Sequence, residues 1–98
     1  MIFNKWVVLP QLKKARQWPG SCVLKSGLAY CFCGYINRKS ILNSIETIDL
    51  GSNNSQWQML TMQEAVEPNY HLVALPYSGK ILLFGGYHGK KNMYMFSQ

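Results

Sequence analysis

Charge is scarce in this chain. Of its 98 residues, 14% are Asp, Glu, Lys or Arg, against roughly 25% in an average soluble domain. Either the surface is poorly supplied with charge, or part of it is meant to be covered. Acidic residues are rarest: four stand against ten Lys and Arg, a net charge of +6. That balance favours acidic partners without identifying one. Long apolar runs are missing too. The longest, 28–35, includes Gly34 and falls far short of the roughly 20 residues of a membrane helix. The first ten residues show no basic region followed by a long apolar one, so no secretory signal is expected. The three cysteines, Cys22, Cys31 and Cys33, are an odd number without paired spacing. They argue against a disulfide framework and for a reducing, cytoplasmic setting. The two histidines, His71 and His88, make no ligand spacing with the cysteines. No metal and no cofactor is expected.

Helical periodicity is weak throughout. Hydrophobic residues make up 48% and aromatics 13%, in short runs bounded by Gly, Pro, Ser and Asn. That pattern predicts strands near 5–9, 20–25, 28–34, 44–50, 56–60, 70–75, 80–86 and 92–97. Ser26-Gly27 and Ser78-Gly79 read as two-residue turns, and Asn53-Asn54-Ser55 as a third turn. A two-residue turn at Ser26-Gly27 pairs Lys25 with Leu28 and sets Cys22 opposite Cys31. A strand through 28–33 carries Leu28, Tyr30 and Phe32 on one face and Ala29, Cys31 and Cys33 on the other. The thiols are read as structural.

The chain repeats itself. Shifted by 52, residues 24–35 lie over 76–87 with Ser26/Ser78, Gly27/Gly79, Phe32/Phe84, Gly34/Gly86 and Tyr35/Tyr87 identical. Shifted by 51, Trp6-Val7-Val8-Leu9 lies over Trp57-Gln58-Met59-Leu60, and at 52 Arg38-Lys39 lies over Lys90-Lys91. A period near 50 residues with four short strands describes one blade of a β-propeller.

These residues resemble the kelch repeat, in which an Arg precedes the first strand, Gly-Gly ends the second, and an aromatic and a Trp follow. The matching residues in 16–60 are Arg16, 28–32, Cys33-Gly34, 45–49 and Trp57. A second copy has Ile81-Leu82-Leu83-Phe84-Gly85-Gly86 and then 92–96. Cys33 stands where the first Gly is usual, and Ile48 where the aromatic is usual. The resemblance implies an all-β fold of antiparallel four-stranded kelch blades, an incomplete β-propeller. Residues 1–15 would be the last strand of a preceding blade and a linker, 16–60 a complete blade, and 61–98 a linker and three strands of the next. Propellers have four to eight blades, so the remaining ones are expected from a longer chain or from self-association.

The resemblance implies a protein–protein interaction module, such as a ubiquitin-ligase adaptor or cytoskeletal scaffold, with no catalytic activity of its own. The alternative is a piece of a propeller enzyme such as a copper oxidase-like protein. No catalytic residue is expected, since Glu46, Asp49, Glu64 and Glu67 have no evident acid–base partner. In a four-stranded meander, Lys13, Lys14, Arg16, Arg38, Lys39, Lys90 and Lys91 all fall in links at one rim, with Glu64 and Glu67. Arg16, Arg38, Lys39, Lys90 and Lys91 are therefore the expected protein-binding residues, for a partner with an acidic surface. No membrane partner is expected and nucleic acid is disfavoured.

Overall fold

The computed structural model describes residues 4, 6–62, 66–87 and 93–98. Seven strands form two antiparallel sheets: β1 (Gly20–Val23), β2 (Leu28–Asn37), β3 (Ser40–Asp49) and β4 (Gln58–Met59) in the first, β5 (Leu72–Tyr77), β6 (Lys80–Gly85) and β7 (Tyr94–Phe96) in the second. Each sheet is a meander in chain order. The described residues contain no helix long and apolar enough to cross a membrane.

Alternation decides the layers. Along β2 and β3, Tyr30, Phe32 and Ile45 turn towards the second sheet, where Ile81 and Leu83 meet them in the buried core. Phe96 sets its ring edge against both Tyr30 and Phe32 at 5.4 and 5.5 Å. β1 lies beside β5, and that is where the two sheets come closest.

Two expectations are corrected. Residues 6–9 belong to no ladder among the described residues, while Lys5 lies outside them. A strand needs a partner, and none of the described strands lies alongside this segment. The first hairpin turn is also one residue longer than expected. Leu24 N–H donates to Leu28 O, Gly27 N–H donates to Leu24 O, and Gly27 takes φ 96°. A three-residue loop ending in a left-handed Gly adds a bulge and moves the register by one. Cys22 then faces Tyr30, and Cys31 faces Ser21. All three cysteines are free thiols, and Cys22 and Cys31 stand on opposite faces. The Ser78-Gly79 turn has the expected two residues, with φ 47° and 75° and Tyr77 paired to Lys80.

With that extra residue placed, the backbone repeats closely. Positions before the hairpin turn match at an offset of 53, and β2 matches β6 at 52: Gly20↔Phe32 corresponds to Val73↔Phe84, and Cys22↔Tyr30 to Leu75↔Leu82. Trp18 and His71 take φ 52° and 61° just ahead of β1 and β5. Cys33-Gly34 take φ 62° and 124°, and Gly85-Gly86 take 83° and 102°. The N–H groups of Tyr35 and Tyr87 then donate to Gln17 O and Tyr70 O. At Gly34 the need for glycine is double. A φ of 124° is closed to side chains, and a Cβ there would sit 2.9 Å from Arg16 Cβ and 3.1 Å from Gln17 O.

Candidate functional site: an aromatic and basic rim

The left-handed residues Trp18 and His71 turn the chain into the first strand of each sheet at the same end of the molecule. His71 N–H donates to Trp18 O at 2.7 Å and ties these two turns together. Their rings stack, with centroids 4.7 Å apart and planes 18° from parallel. Tyr35, near the end of β2, lies 5.3 Å from Trp18 and 5.1 Å from Tyr70. Tyr87 stacks on Tyr70 at 5.7 Å. Five rings thus form one continuous cluster, with Trp18, His71 and Tyr87 exposed and Tyr35 and Tyr70 half-buried.

Arg38 and Lys39 form the exposed turn between β2 and β3, at the end of the strand that carries Tyr35. Lys39 N–H donates to Asn37 Oδ1 at 2.9 Å, which fixes the turn. This turn lies at the same end of the first sheet as Trp18 and Tyr35. Lys90, Lys91, Glu64 and His88 lie outside the described residues.

Arg16 is placed differently from the sequence expectation: its side chain is 0% exposed. Nη2 contacts Glu46 Oε2 at 2.6 Å, and Nη1 donates to the carbonyls of Cys33 and Ser44 at 2.9 and 3.0 Å. The Glu46 carboxylate, also 0% exposed, accepts the backbone N–H groups of Lys13 and Lys14 at 2.6 and 3.1 Å. The Arg16 guanidinium therefore braces the β2 bulge and the incoming link, and is not available on the surface. Lys13 and Lys14 are exposed, but their backbone is drawn against the face of the first sheet that carries Glu46. The basic rim of the described residues reduces to Arg38 and Lys39, with aromatics in place of the other charges.

The second sheet uses Asn69 where the first uses Arg16: Asn69 Nδ2 donates to Gly85 O at 3.1 Å, as Arg16 Nη1 does to Cys33 O. The backbone also joins the sheets here, with Gly34 N–H donating to Asn69 O at 2.8 Å.

Two hollows lie elsewhere. One of about 530 Å³, at the opposite rim, is lined mainly by apolar groups of Leu24, Leu28, Tyr30, Pro76 and Phe96. The other, about 550 Å³, opens on the face of the first sheet away from the second, among Leu9, Leu12, Ala29, Cys31 and Trp57. Among the described residues no three His, Cys, Asp or Glu side chains gather into a metal-binding group. Burial pushes the Cys33 thiol up to about 11, against the pull of the Arg16 guanidinium, and it raises Cys22 and Cys31 in the same direction.

Sequence reasoning named none of the five rings as binding residues, and it missed the match of Tyr70 and His71 to the turn ahead of β1. The signal was present at an offset of 53, which sets them over Gln17 and Trp18, but it emerges only once the longer hairpin turn is known. No family model matches the chain, and no curated protein shows significant similarity to it.

Proposed function

We propose that the chain is part of a kelch-type β-propeller and serves as a protein–protein interaction module. Its recognition surface is the rim formed by Trp18, Tyr35, Tyr70, His71 and Tyr87 with Arg38 and Lys39. The repeat of backbone devices from one sheet to the next supports the propeller reading. The exposed ring cluster carries the functional one. Aromatic rings supply a large contact area at low entropic cost and dominate binding hot spots. Here they are held by backbone hydrogen bonds between the two sheets, so little order has to be gained on binding. The Arg38 guanidinium offers a fork for a carboxylate. The ligand class is a peptide segment bearing acidic and aromatic side chains.

Selection from a random peptide display library, followed by binding kinetics, tests this. Acidic peptides should be enriched. Trp18→Ala should weaken them at least tenfold, and Arg38→Ala with Lys39→Ala should slow association and flatten its salt dependence. Enrichment without acidic residues, or equal binding by Trp18→Ala, would overturn the proposal.

A further inference from the structure

The two sheets stack head to tail, not face to mirrored face. The face of the first sheet that is buried on the second carries Gly20, Cys22, Tyr30, Phe32 and Thr47. By ladder position these correspond to Val73, Leu75, Leu82, Phe84 and Met95. Those five occupy the opposite face of the second sheet, away from the first, where Val73, Leu75 and Met95 are exposed. An apolar face that is covered in one copy of the repeat is thus open in the other.

A second observation points to the same place. Among the described residues the first sheet has four strands and the second has three, with β7 at its edge. The strand in fourth place, β4, belongs to Trp57-Gln58-Met59-Leu60. Its sequence counterpart, Trp6-Val7-Val8-Leu9, lies in solvent, with Trp6 99% and Val8 93% exposed. This segment cannot reach its own β7. Trp57 Nε1–H donates to Pro10 O at 3.0 Å, and Leu9 lines the hollow on the far face of the first sheet. The first sheet therefore stands between the segment and the edge it would complete.

We propose that a second copy of this chain supplies both needs at once. The open face of one copy's second sheet docks over the far face of another copy's first sheet, continuing the packing seen within the chain. Residues 6–9 of that other copy then add to β7 as its fourth strand. Thr47↔Gln58 in the first sheet sets Met95 opposite Val7, and the Leu60 N–H bond to Ile45 O sets Leu9 N–H on Met93 O. Strand addition of this kind gains backbone hydrogen bonds and side-chain burial together.

The test uses the full chain. Sedimentation across a dilution series should show reversible association. Leu9→Pro, which removes the ladder N–H from an exposed segment, should raise the dissociation constant at least tenfold and leave the dilute monomer's melting unchanged. Val7→Cys in one copy, mixed with Met95→Cys in another, should form a disulfide across Cα atoms about 5.5 Å apart. That reaction should be much faster than the one between Val7→Cys and Met93→Cys, which is out of register. A monomer at every concentration, association unaffected by Leu9→Pro, or cross-linking indifferent to register would overturn the proposal. The peptide-binding reading of the rim is tested separately, by the salt dependence of peptide association in the variant with Arg38→Ala and Lys39→Ala, whereas this interface is tested by Leu9→Pro and by the register of cross-linking.

Discussion

Cutting one partner from the Arg16–Glu46 pair should cost far more than its place in a link suggests. Both side chains are fully buried. In Glu46→Leu the guanidinium keeps its bonds to the Cys33 and Ser44 carbonyls but loses its counter-charge, and the N–H groups of Lys13 and Lys14 lose their acceptor. Leaving one member of a buried pair costs about 3–5 kcal/mol, a large part of the ~5–15 kcal/mol that holds a domain together. Arg16→Leu should cost a similar amount, because it strands the carboxylate and frees two buried carbonyls. The double variant should cost less than the sum, with a coupling of roughly 1–3 kcal/mol. Urea denaturation with linear extrapolation measures all four proteins. An exposed pair gives about 0.2–1 kcal/mol and weakens with salt. If either single variant falls in that range, or if the two add, the bracing role assigned to Arg16 is refuted.

Three further outcomes follow from the structure. Gly34→Ala should destabilise by more than about 1 kcal/mol, since it combines a backbone conformation closed to side chains with a contact on Arg16 and Gln17; coincident denaturation midpoints would contradict it. The Cys33 thiol has a folded value of about 11 against 9.0 unfolded. The unfolded chain therefore loses this proton first, so stability is whole below pH 9 and falls as the pH rises towards 11. Native Cys33 should also alkylate slowly near neutral pH and quickly in concentrated guanidinium chloride, and equal rates would refute its burial.

Local pattern carried much of this fold. Short apolar runs bounded by turn formers mark eight strands, of which seven form among the described residues, because each strand's two faces are written in neighbouring residues. The failures have a common origin in contacts made at a distance. Glu46 reads as an acid stranded in a strand until Arg16, thirty positions away, is brought to it. Arg16 reads as a surface charge for the same reason. Trp6-Val7-Val8-Leu9 has the composition of a strand, but a ladder needs a second chain segment, and composition does not say where that segment is. The ring cluster depends on two left-handed residues, Trp18 and His71; histidine is one of the types enriched in that conformation, but tryptophan is not, and the pairing of the two turns rests on contacts between the sheets.

Gly20 has a consequence for shape. A Cβ on it would stand 3.1 Å from Leu72 Cδ1, so the bare backbone lets β1 settle against β5, while towards β4 and β7 the gap is filled by Tyr30, Phe32, Tyr94 and Phe96. Two layers pinched along one margin and propped apart along the other make a wedge. Wedges stacked in one sense bend the stack, and the bend per step decides whether it closes on itself or winds into a filament. The matching position in the second sheet is Val73, a bulkier residue at the narrow margin. In the stack proposed above, the step between copies would therefore be pinched less tightly than the step within a chain, and the curvature would alternate along the series instead of staying uniform.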